Sequence, residues 1–156
     1  MFRAVLRGIA AGAAGTTALN AATYADMAVR GRPTSSIPER SVEKLASDAG
    51  IEIPGDGESR QNRVSGIGAL LGIGTGLSAG VAASALGPLM RRLPLSAAAV
   101  LIGALAMAGS DIPMARLGLT DPTEWSGSDW LSDALPHLAY GVGTAWTLRA
   151  LAHPSG

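Results

Sequence analysis

The sequence predicts an all-α, polytopic membrane protein: a four-helix transmembrane bundle with glycine-zipper packing and a short amphipathic helix in its first loop. Three observations lead there. Hydrophobic residues make up 47% of the 156 residues and charged ones only 15%, where soluble domains carry about 25% charge. Most of the charges sit in the N-terminal tip, the stretch from Arg30 to Arg63 and the stretch from Asp111 to Asp133. Between these clusters run long uncharged segments in which small residues recur every fourth position.

A bilayer core of about 30 Å needs roughly 20 mostly apolar residues in helical form, because no water is present to satisfy backbone groups. Four segments meet that length, residues 4–29, 64–90, 95–114 and 131–151, and together they make one membrane domain over 1–156. The first segment has a rival reading. Arg3 and Arg7, an Ala/Gly-rich stretch and Thr23-Tyr24-Ala25 form the outline of a secretory signal over residues 1–25. Thr16, Thr17 and Asn20 make a poor signal core, so a retained helix is expected.

Residues 30–63 form the polar loop. Within it Ser36 is placed to cap a short helix, Pro38 suits the first turn, Val42, Leu45 and Ala49 share a face, and Gly50 suits the end. This helix is expected on the membrane surface or on the bundle. Gly87-Pro88 through Pro94 joins the second and third segments so tightly that they form a helical hairpin. Arg3, Arg7, Arg91, Arg92 and Arg149 then share one membrane side. Positive-inside logic makes that side cytoplasmic, with both termini there, although Arg30, Arg32, Arg60 and Arg63 stand opposite.

Helix packing has its own signature. Gly68, Gly72, Gly76 and Gly80, continued by Ser84, overlap as successive GxxxG steps, and Gly8, Gly12, Thr16 and Asn20 repeat the device on the first helix. Small faces let backbones approach closely where lipid is as apolar as leucine. The two stripes are expected to meet, with Asn20 in an interhelical hydrogen bond.

In a four-span topology Tyr24, Asp26, Asp111, Asp133 and His137 converge on one membrane side. Asp133, His137 and Tyr140 project from one face of the fourth helix, with Thr144 a turn deeper. Asp26, Asp111, Asp133, His137 and Tyr140 are therefore the candidate polar cluster, able in principle to relay protons or hold a divalent cation. Each has an ordinary alternative: Asp26 can pair with Arg30, Asp111 can cap a span, and Asp129 and Asp133 suit a positive helix N-terminus. Trp125 and Trp130 mark this side as interfacial.

Other functions are disfavoured. Twelve Lys/Arg balance twelve Asp/Glu, leaving no basic field for nucleic acid. The absence of cysteine removes disulfides, thiolate metal sites and cysteine nucleophiles. There is no Walker loop, nucleophile elbow or HExxH pair, so neither an enzyme nor a cofactor is expected. A bis-histidine haem is unattractive, since the second histidine, His153, lies in the tail.

Three stretches carry a resemblance: Gly12-Ala13-Ala14-Gly15-Thr16-Thr17-Ala18-Leu19-Asn20, Gly31-Arg32-Pro33-Thr34-Ser35-Ser36, and Pro136-His137-Leu138-Ala139-Tyr140-Gly141. Together they resemble small integral membrane proteins of actinobacteria with no assigned activity. The resemblance implies a bacterial inner-membrane protein and transfers no catalytic residue. The expected partners are the lipid bilayer and other membrane subunits or a second copy. The leading functional expectation is a structural or accessory membrane protein, and the alternative is a small proton- or cation-linked transporter or channel built on the polar cluster.

Overall fold

A computed structural model describes residues 2–152, and His153 lies outside them. Among the described residues the fold is all-α, with no strand. The elements are α1 (Phe2–Arg30), α2 (Ile37–Asp48), α3 (Gly57–Ala85), α4 (Gly87–Arg92), α5 (Leu95–Arg116), a 3₁₀ turn (Pro122–Glu124) and α6 (Gly127–Ala152).

α1 packs on both α3 and α6, and α6 packs in turn on α5, so the four long helices run α3, α1, α6, α5 across the bundle. The side between α3 and α5 closes only loosely. Each neighbouring pair is antiparallel. Gly8 and Gly12 of α1 face Gly80 and Gly76 of α3, Gly15 faces Thr144 and Tyr140 of α6, and Gly103 of α5 faces His137 of α6.

Glycine is required where these backbones meet. A Cβ on Gly12 would stand 2.6 Å from the Gly76 carbonyl oxygen, and one on Gly103 would stand 2.6 Å from that of His137. Both obstacles are backbone, which no rotamer change can move. The four-residue stripe of α3 is nevertheless not a single seam. Gly76 and Gly80 meet α1, Gly68 instead packs against Pro38 of α2, and Gly72 has nothing within 4 Å of its Cβ position. Asn20 differs from expectation too: it is exposed, with no hydrogen bond among the described residues. Thr16 donates to its own helix at Gly12 O (2.8 Å), and Ser84 donates to Ala4 O of α1 (2.8 Å).

The core is correspondingly small in its side chains. Ala83, Met90, Ala98, Ala99, Ile102, Tyr140 and Ala145 form it. The large apolar residues face outward instead, among them Leu70, Val100, Leu105, Val142 and Trp146.

Several boundaries move. The second apolar segment, expected to continue to Met90, breaks at Leu86, because Gly87-Pro88 starts the separate short helix α4. α3 also begins earlier, at Gly57, and α6 begins at Gly127 rather than 131. By length and composition two helices, α3 and α5, are apolar enough to cross a membrane, rather than four. α1 and α6 are long enough, but Thr16, Thr17, Asn20 and Asp26 dilute the first, and Asp129, Asp133 and His137 the second.

α2 lies across the bundle end against α3. Ser36 does not cap it with its side chain; the neighbouring Ser35 hydroxyl accepts from Ile37 N at 3.2 Å. At the other end Gly50 is left-handed (φ +65), Ile51 N donates to Ala46 O and Gly50 N to Ser47 O. That is a Schellman closure, which a glycine adopts without strain. Of the expected apolar face only Val42 is buried, while Leu45 and Ala49 are exposed.

Candidate functional site

The polar constellation lies at the end of the bundle where α1 and α5 finish and α6 begins, and it divides into two groups and one separate anchor. The first group is built on Asp26. One turn of helix brings Arg30 alongside it, Nε to Oδ1 at 2.5 Å and Nη2 to Oδ2 at 2.6 Å, and Arg32 reaches the same carboxylate from the chain beyond α1. Arg30 also donates to Ser128 Oγ (2.8 Å) and to Ser132 Oγ, tying α1 to the start of α6. Asp26 is therefore committed to two guanidinium groups. Tyr24, expected nearby, points outward and is exposed.

The second group is Asp111, Asp133 and His137, joined by Ser110. His137 Nδ1 lies 2.9 Å from the Asp133 carbonyl oxygen and 3.4 Å from Asp133 Oδ2. A carbonyl can only accept, so Nδ1 carries a proton, and in the neutral ring Nε2 is the free acceptor. Ser110 Oγ sits 3.4 Å from that Nε2 and 3.2 Å from Asp111 Oδ1, while donating to Met107 O at 2.9 Å. Asp133 Oδ2 is buried with no hydrogen-bond partner among the described residues. An orphaned carboxylate oxygen beside an imidazole is costly, and it is the one feature of the group that ordinary packing leaves unexplained.

Tyr140 stands apart as an anchor. It is 1% exposed, and its hydroxyl donates to Gly76 O of α3 at 2.6 Å. Thr144, fully buried, donates to Ala11 O of α1 at 3.3 Å. Among the described residues no group of three or more His, Asp or Glu side chains is arranged to hold a metal ion.

The entrance to α6 is fixed by Ser126 and Asp129. Ser126 Oγ and N donate to Asp129 Oδ2 at 2.6 and 2.9 Å, and Asp129 N donates back to Ser126 Oγ at 3.2 Å. This is a capping box with aspartate as its acid. The Ser126 hydroxyl, aided by its backbone N–H, holds the Asp129 carboxyl below its ordinary range. Trp125 and Trp130 meet edge to face at 5.0 Å, and Trp125 donates to Thr120 Oγ1 at 2.8 Å.

Arg32, Ser110, Ser128 and Ser132 are contacts that spacing alone did not select. Arg30 and Ser132 are 102 residues apart in the chain, and no local periodicity encodes such a meeting. No protein-family model, curated protein or solved structure matches the chain.

Proposed function

We propose that the chain is a four-span membrane protein of structural or accessory type, seated in a bacterial plasma membrane with cytoplasmic termini and belonging to a larger membrane assembly or homo-oligomer. The observation that carries this reading is the inverted arrangement of side chains. Leu70, Trp146 and Val100 are 67%, 65% and 57% exposed, whereas Thr144 and Tyr140 are buried. Only 17% and 22% of the apolar stretches of α3 and α5 are buried within the chain, where a core helix of a soluble domain would be mostly buried. Contiguous apolar surface of this kind is foreign to a soluble monomer and ordinary in hydrocarbon.

α1 and α6 support the four-span form. They are 29 and 26 residues long, enough at about 1.5 Å per residue for a core of about 30 Å. Each packs antiparallel beside a more apolar helix and turns Leu6 and Ile9, or Leu135, Leu138 and Val142, outward. α1 is clasped by α3 and α6, which favours a retained helix over a cleaved signal. The accessory role draws on how the deep polar groups are used: Tyr140 and Thr144 both end on neighbouring backbones. Isolation in mild detergent tests it. A co-purifying subunit or a stable oligomer is expected; a monodisperse, partner-free monomer would remove the accessory reading.

A second reading, proton-linked transport, is favoured by one observation, the unpartnered Asp133 Oδ2 with His137 Nδ1 at 3.4 Å. Asp133, His137 and Asp111 would share a proton, with Asp26 and Tyr140 outside the site. Proteoliposome flux assays decide it: Asp133→Asn and His137→Ala should each abolish proton-coupled flux, and unchanged flux in both discards the idea.

A further inference from the structure

The opposite end of the bundle carries Arg3, Arg7, Arg91, Arg92 and Arg149, and among the described residues none of them forms a salt bridge. The other end differs in part, although Arg40, Arg63 and Arg116 form no salt bridge there among the described residues. There Arg30 and Arg32 share Asp26, and Arg60 takes Glu43 at 2.8 Å.

Three of the unpaired arginines come from three different helices to one place. Arg7 of α1, Arg91 of α4 and Arg149 of α6 line a single cavity of about 120 Å³ whose other walls include Met90, Ile102 and Leu148. Their positions are set by the local fold. Arg149 donates to Leu93 O in the turn between α4 and α5, which holds its side chain across the α5–α6 cleft. Arg91 folds over the first turn of α4, where a Cβ on Gly87 would stand 3.3 Å from its Nη1. Three like-charged side chains around one crevice favour an anion between them. Guanidinium forks match the oxygens of a phosphate and can bind it bidentately. The apolar wall beneath them gives that phosphate an apolar continuation.

We propose that this crevice binds the phosphodiester headgroup of an anionic phospholipid, with Arg7, Arg91 and Arg149 as its ligands and the glycerol and first acyl carbons against Ile102 and Leu148. The site rests on the membrane reading above. It lies on the side assigned to the cytoplasm, where basic pockets between spans meet anionic headgroups.

The test uses the full chain in mild detergent, with retained lipid counted by native mass spectrometry. Phosphatidylglycerol, phosphatidylcholine and inorganic phosphate are added separately. Phosphatidylglycerol should be retained at least tenfold over phosphatidylcholine, and Arg91→Gln and Arg149→Gln should each reduce that preference about fivefold, from roughly 1 kcal/mol per basic residue. Arg60→Gln, at the other end, should leave it unchanged. Arg149→Gln also loses the bond to Leu93; Arg91 makes no hydrogen bond among the described residues, so Arg91→Gln carries the test if the first variant does not fold. Equal retention of the two lipids overturns the proposal. So does inorganic phosphate that competes phosphatidylglycerol away at equal concentration, which would mark a free-phosphate site. Carbonate extraction is read alongside: a chain that stays in the bilayer but shows no lipid preference refutes the site alone, and a chain released by carbonate refutes both.

Discussion

Gly12 and Gly72 have the same residue type and helical setting but opposite surroundings, so one substitution at both separates packing from helix propensity. An alanine Cβ at Gly12 would stand 2.6 Å from Gly76 O and 2.9 Å from Leu77 Cα, whereas at Gly72 nothing lies within 4 Å. Ordinary contact begins near 3.4 Å, so Gly12→Ala forces α1 and α3 apart by about 0.8 Å. Overpacking of that kind costs about 1–3 kcal/mol. The gain in helix propensity, up to about 1 kcal/mol, offsets part of it. Gly12→Ala should therefore destabilise the chain by about 1–2 kcal/mol, and Gly72→Ala should be neutral or stabilise it by up to about 1 kcal/mol. Unfolding in mixed micelles with rising sodium dodecyl sulfate, followed by circular dichroism, reads both. If Gly12→Ala is as stable as Gly72→Ala, the α1–α3 contact is not where the bundle closes.

Tyr140→Phe keeps the ring against Gly15 and removes only the 2.6 Å bond to Gly76 O; the same unfolding assay should show a loss of about 0.6 kcal/mol, the average for an interhelical bond in a bilayer, and no loss would mean the bond does not form. Ser126→Ala breaks the capping box at the start of α6, with an expected cost of about 1 kcal/mol seen as faster amide exchange over residues 128–131; unchanged exchange there refutes the cap. The chain has no cysteine, so single Ser→Cys reporters are clean: Ser35→Cys and Ser126→Cys should label from one face of sealed vesicles and Ser96→Cys from the other. Labelling of all three from the same face rules out the four-span arrangement.

Helices were legible in the sequence because long apolar stretches bounded by charge and proline leave the backbone little alternative. The Gly50 stop was legible for the same local reason, a left-handed turn that glycine takes freely. What escaped was whatever depends on how helices rotate against one another. The four-residue stripe on α3 identifies a small face but not its neighbour, and α2 intervenes so that Gly68 meets Pro38 while Gly72 meets nothing. Asn20 shares a periodic face with Gly12, yet α1 and α3 approach closely at Gly8, Gly12 and Thr16 and leave Asn20 exposed. Topology could bring Asp26, Asp111 and Asp133 to one end. It could not say that Arg32 would help neutralise Asp26, or that Ser110 would stand between Asp111 and His137.

Leu105 reports directly on which solvent surrounds the outer face. It sits near the middle of α5 and is 51% exposed, so it touches little of the bundle. In water, Leu105→Arg would replace an exposed apolar group by a charge and leave stability within about 0.5 kcal/mol, the usual range for surface changes. In hydrocarbon the same change places a guanidinium near the centre of a span, at about 2.5–3.5 kcal/mol on an insertion scale. In hydrocarbon the insertion equilibrium constant thus falls by more than a factor of ten, and the inserted fraction falls with it; in water neither changes. Fractionation of the expressed variant, with Leu105→Ala as control, reads that fraction. If Leu105→Arg accumulates in the membrane as fully as the control, the outward face of α5 does not meet lipid, and the inverted arrangement of this chain needs a protein partner rather than a bilayer to cover it.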